Sequence, residues 1–192
     1  MMADSAEITL IRHGESALPL NGSMTLPEFR ILIETYNRTG ISEDSHPDAS
    51  VLELGDTASK VICSDYPRAL ESAHRIAPSV TPDSIPLLRE AGRPLSWNVR
   101  VRLPLEAWDG ISRVLWRLGL FQSDESLPQA RKRATRATDV LIDAASAHGR
   151  VIAVGHGMFW RMVADELLRR GYLGRKRLQL RHWEAASYRL AR

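Results

Sequence analysis

Four short runs of β-branched and aliphatic residues constrain the fold of this chain most: Ile8 to Ile11, Val61 to Cys63, Ile85 to Leu88 and Val151 to Val154. Each is too short for a helix, and each leads into polar or glycine-containing sequence, so each reads as a strand. Runs that are apolar throughout, rather than alternating, belong to strands covered on both faces, as in parallel sheets. A weaker fifth run lies around Ser187 to Leu190. Between the runs lie helical stretches. Thr25-Leu-Pro-Glu28 is a capping box opening a helix whose apolar positions, Phe29, Leu32, Ile33 and Tyr36, continue until Gly40. Ser126-Leu-Pro-Gln129 opens a longer, alanine-rich one that stops near Gly149. Further helices begin near Pro67 and Gly157, directly after strands.

Alternating strands and helices predict an α/β fold: a three-layer sandwich with a mostly parallel central sheet and helices on both faces. The stretch from Arg93 to Asp124 breaks that rhythm. It holds Trp97, Trp108 and Trp116 and a short amphipathic helix (Leu105, Trp108, Ile111, Leu115, Leu118), and it is expected as a small lid-like insertion. The expected organisation is one domain over residues 1–192, with insertions at about 18–50 and 93–124 over the active site. No repeat or low-complexity tract divides the chain.

In an open α/β sheet, ligands bind beyond the carboxyl ends of the strands. The first strand runs into Arg12-His13-Gly14-Glu15-Ser16, the second into Ser64-Asp65-Tyr66-Pro67-Arg68, the third into Arg89-Glu90 and the fourth into Gly155-His156-Gly157. Two histidines, at least two arginines and a carboxylate thus converge on one sheet edge. That set suits a phosphoryl dianion. Arginine forks bind its oxygens, and a helix starting after His156 aims backbone N–H groups at the same anion. A neutral imidazole can attack phosphorus, and a carboxylic acid can protonate the departing oxygen.

The chain is identified as resembling the histidine phosphatase superfamily, in its phosphoglycerate-mutase-like branch. Arg12-His13-Gly14-Glu15-Ser16 resembles the family's signature, the segment from Ser64 to Ala73 its second-arginine helix, Leu88-Arg89-Glu90 its acid, and Gly155-His156-Gly157 its second histidine motif. The resemblance implies a phosphatase that hydrolyses phosphomonoesters through a phosphohistidine, without metal or other cofactor. His13 would be the nucleophile, Arg12, Arg68 and His156 would bind the phosphoryl group, and Glu90 would be acid and then base. Glu106 is the rival acid, and Glu15 reads as an orienting residue. Ser16 would donate to phosphate or cap a helix, Gly157 would give the anion close backbone approach, and Asn21 would be a further phosphate contact. Trp97 would form a pocket wall. The glycolytic mutases carry Trp-Glu-Gly soon after the acid, where this chain has Ala91-Gly92-Arg93-Pro94, so hydrolysis is favoured over a mutase reaction. The alternatives are a phosphotransferase or mutase, a protein phosphohistidine phosphatase, and a non-catalytic phosphate-binding module.

Other signals exclude rivals. The lone cysteine, Cys63, forms no intrachain disulfide or cysteine-based metal site, and four residues, not five, separate it from Arg68, against a cysteine phosphatase loop. Trp160 stands where a dinucleotide fingerprint needs its third glycine. His46, His74, His148 and His182 are dispersed, so no metal is expected. All but three of the 26 basic residues are arginine, six with Lys176 among them between Arg169 and Arg181, which raises nucleic acid as a partner; a solvated helix end is the preferred reading. The expected partner is a small phosphorylated substrate, bound by a monomer or homodimer. With 44% hydrophobic residues but no apolar run of membrane-spanning length, and Asp4 and Glu7 near the start, a cytoplasmic protein is expected.

Overall fold

The computed structural model describes residues 6–92, 99–120, 124–179 and 181–190. In chain order the elements are β1 (Glu7–Arg12), β2 (Ser23–Met24), α1 (Leu26–Arg38), α2 (Ala49–Asp56), β3 (Lys60–Ser64), α3 (Pro67–Ile76), β4 (Asp83–Ile85), β5 (Leu103–Pro104), α4 (Leu105–Arg117), α5 (Leu127–His148), β6 (Arg150–Gly155), α6 (Gly157–Arg169), β7 (Tyr172–Gly174) and β8 (Ala185–Leu190). Six strands form one sheet in the order β4-β3-β6-β1-β8-β7. β4, β3, β6 and β1 run parallel, and β8 and β7 close the other side antiparallel.

The two-residue period of the strands sorts their side chains into two cores. Ile8, Leu10, Ile62, Val151 and Ala153 face α5 and α6 and pack on Leu141, Phe159, Trp160 and Val163. Ile11, Val61, Cys63, Ile152 and Val154 face α2 and α3 and pack on Val51, Ala69, Ala73 and Ile76. Each fully buried large aliphatic side chain contributes roughly 1.5–3 kcal/mol, so both faces of the sheet are needed. Both predicted capping boxes are formed, Thr25 with Glu28 and Ser126 with Gln129.

The third predicted strand is shifted. Asp83–Ile85 pairs with β3, and Pro86–Leu88 is instead a 3-10 turn, because Pro86 has no N–H to give a ladder. The last strand begins two residues earlier than its apolar pattern, and α2 and the edge strand β7 are additions. The two excursions meet: β2 pairs with β5, and Leu26 and Phe29 of α1 pack on Trp108 of α4. No helix among the described residues is long and apolar enough to cross a membrane.

Candidate active site

β1 and β6 are neighbours, but the chain leaves β1 toward the α2/α3 face and β6 toward the α6 face. The crevice between their carboxyl ends is where α/β sheets bind ligands. Register places the two histidine motifs there together, since Arg12 pairs with Gly155 and the His13 N–H donates to the Gly155 carbonyl at 3.0 Å. The His13 and His156 ring centroids are 5.1 Å apart. Both glycines are forced by packing: a Cβ at Gly14 would collide with the indole of Trp183, and one at Gly155 with that of Trp160.

Arg68, 1% exposed in the first turn of α3, ties the cluster together. Its Nε donates to His13 Nε2 at 3.2 Å, and one terminal nitrogen reaches His156 Nδ1 at 3.3 Å. The guanidinium also donates to the Tyr36 carbonyl and to Asn37 Oδ1, and it lies 4.0 Å over the Tyr36 ring.

These partners fix both tautomers. The Gly14 carbonyl, 2.7 Å from His13 Nδ1, can only accept, so Nδ1 carries the proton and Nε2 keeps its lone pair. A guanidinium can only donate, so His156 is protonated at Nε2, which gives its hydrogen to Ser64 Oγ at 2.9 Å. Burial, then neighbouring positive charge, holds both imidazoles neutral, with pKa values well below 6.5. For His13 the main charge is Arg68, followed by Arg12. A neutral imidazole with a fixed Nε2 lone pair, here covered by the Arg68 Nε–H, is the form that can act as a nucleophile once that donor moves to a ligand.

Glu90 follows the 3-10 turn and reaches the start of α6. Its carboxylate accepts the N–H groups of Phe159 and Ala91, each at 2.9 Å, and of Met158 at 3.3 Å. The amides expected to face an anion are therefore occupied by Glu90. Arg133 of α5 buttresses this loop, donating to the carbonyls of Leu87, Arg89 and Glu90 and to the Glu125 carboxylate, with its guanidinium 4.0 Å over Phe159.

Of the other expected residues, Arg12 lies near enough to lower the pKa values of His13, His156 and His182. Gly157 is the buried first residue of α6. Ser16 is buried, but its hydroxyl accepts the Leu18 N–H. Asn21 is exposed ahead of β2; the asparagine in the cluster is Asn37. Glu106 is exposed on the first turn of α4. Arg89 is engaged bidentately by Asp65. Trp97 lies outside the described residues. Burial pushes the Cys63 thiol up to about 11, far from a thiolate nucleophile. In the basic stretch, Arg169 and Arg170 pair with Glu166, and Arg175 with Glu184.

Sequence alone does not place Tyr36, Asn37 or His182 here, and it brings Ser64 to the edge only as part of a strand-end motif, without its bond to His156. The only signals of the other three are position: the last turn of a capped helix and the turn before the last strand. The dispersed histidines are not all distant in space, since the His182 ring stands 5.7 Å from that of His13.

Among solved structures, a mycobacterial glucosyl-3-phosphoglycerate phosphatase matches with a TM-score of 0.56 at 15% identity, over 86% of this chain and 80% of that one. Phosphoserine phosphatase from Entamoeba histolytica, in complex with 3-phosphoglyceric acid, matches with a TM-score of 0.55 at 18% identity, over 94% and 89%. No curated protein sequence matches this chain. The family model of the histidine phosphatase superfamily (branch 1) matches residues 51–190. With that match over most of its length, the chain belongs to branch 1 of the histidine phosphatase superfamily.

Proposed function

We propose that the chain is a phosphatase that hydrolyses small phosphomonoesters through a phosphohistidine at His13. The observation that carries this reading is the fixed tautomer of His13: Nδ1–H is given to the Gly14 carbonyl, and the Nε2 lone pair faces the guanidinium of Arg68. The phosphoryl group enters between these two side chains, and its oxygens take over the donors of Arg68, with Arg12 completing the anion site and His156 joining as a donor once its proton shifts from Nε2 to the freed Nδ1, the Ser64 hydroxyl then donating to Nε2. Nε2 attacks phosphorus as the ester P–O bond breaks, and the leaving oxygen takes a proton from Glu90. Water then attacks the phosphohistidine, Glu90 accepts its proton, and the N–P bond breaks to release inorganic phosphate. His13 keeps its Nδ1 proton throughout.

The residues named supply every charge and proton these steps use, so the reading requires no metal. Membership of the family and the phosphatases that share the fold support a phosphorylated small molecule as substrate. Hydrolysis of a generic aryl phosphate in the presence of EDTA tests the reading. Turnover should persist in EDTA and vanish in His13→Ala; undiminished turnover in that variant would remove His13 from the reaction, and loss of parental turnover in EDTA would demand a metal.

A further inference from the structure

The third imidazole at the cluster has no role in the steps above. His182 sits half-buried in the turn before β8, with its ring centroid 5.7 Å from that of His13 and the planes 38° apart. Its placement is held by a strained neighbour. Trp183 has φ 62, the only non-glycine left-handed backbone among the described residues. A bulky side chain adopts that conformation only where the surroundings impose it, and such strain gathers at functional sites.

Three contacts impose it here. The Trp183 N–H donates to the Arg12 carbonyl at 3.1 Å. Its indole fills the space beside Gly14 that a Cβ would take. Its Nε1 donates at 2.9 Å to Ser45 Oγ, the same oxygen that accepts the Glu15 N–H at 2.7 Å. The loop carrying His13 and the turn carrying His182 are thus pinned to one hydroxyl, and the turn presents an imidazole at the nucleophile.

We propose that His182 is a substrate-binding residue, its imidazole N–H donating to a non-bridging oxygen of the phosphoryl group held by Arg12, Arg68 and His156. The proposal rests on the phosphohistidine reading of this pocket. Burial, with Arg12 beside it, lowers the His182 pKa to about 4, so at neutral pH the ring has one donor and one acceptor and no charge. It adds a directional contact without a further positive charge beside His13, which itself must stay neutral to attack.

Inorganic phosphate is the probe. Titrated into the chain labelled with nitrogen-15 in histidine, it should shift the imidazole resonances of His182 together with those of His13 and His156. By calorimetry, His182→Phe, which keeps a ring but loses the donor, should bind phosphate about tenfold or more weakly, the cost of one hydrogen bond to a charged group. His182→Gln, which keeps a donor, should lose less. Parental affinity in His182→Phe overturns the proposal, as does a titration that shifts His13 and His156 and leaves His182 unmoved. The latter needs no variant, so misfolding cannot mask it. A parent chain that moves none of the three histidines overturns the reading of the pocket as a phosphoryl site, a result distinct from failure at His182 alone.

Discussion

The Nε–H of Arg68 points across 3.2 Å at the lone pair of His13 Nε2. The atom proposed to attack phosphorus is therefore covered by the side chain proposed to bind the phosphoryl oxygens. On the proposed mechanism, an entering dianion would draw the guanidinium onto its own oxygens and uncover the lone pair in the same movement.

Arg68→Lys should show the consequence. Lysine keeps the charge but not the fork that reaches His13, His156, Asn37 and the Tyr36 carbonyl together. Losing one or two charge-assisted hydrogen bonds should lower kcat/KM by about 10²-fold. Steady-state kinetics on an aryl phosphate checks this; a value near that of the parent would mean that the fork does not bind the phosphoryl group.

Glu90→Gln separates proton donation from anion binding. General acid catalysis contributes about 10²–10⁴-fold, and matters most for poor leaving groups. The variant should lose far more kcat on an alkyl phosphate than on a nitrophenyl phosphate. Equal losses on the two would assign the proton to another group, with Glu106 next to be replaced. Glu90→Ala should in addition unfold more easily, by about 0.5–2 kcal/mol, because the carboxylate caps the first amides of α6.

Much of this was legible beforehand, and the boundary is physical. Three of the four strand ends, the two capping boxes and the pairing of His13 with His156 follow from local periodicity and from the rule that parallel strands share one carboxyl edge. Ile85 to Leu88 read as a strand because its residues are apolar, whereas Pro86 cannot join the ladder. Tyr36, Asn37 and His182 reach the site through tertiary contacts, an insertion helix laid against Arg68 and a left-handed residue beside Arg12, and neither leaves a local pattern. Glu90 as a helix cap is of the same kind, since the amides it fills are far along the chain.

Acid should destabilise the fold earlier than carboxylate titration would. His13 and His156 take up protons near 6.5 when unfolded but only well below that when folded. Between those values the unfolded chain binds more protons, so their stabilising contribution is complete above about pH 6.5 and is lost as pH falls through the window. Urea unfolding between pH 7.5 and 5 should show the slope, and His156→Asn should flatten it. An unchanged slope in the variant would contradict the assignment of a neutral, buried His156.

Gly155→Ala tests the packing that brings β1 and β6 together at their carboxyl ends. The added methyl meets the Trp160 ring, whose Nε1 is anchored on the Ile11 carbonyl at 2.8 Å and cannot yield freely. A loss of about 1–3 kcal/mol is expected from overpacking. Thermal unfolding at parental stability would show that the indole can move aside.

The central claim is the covalent bond to His13. Rapid quenching of the chain turning over a phosphomonoester labelled in its phosphoryl group should trap label on the protein, stable to alkali and lost in acid, mapped to His13 and absent from His13→Ala. Turnover of the same substrate with no trapped label at any quench time, or with label on another residue, would contradict the account.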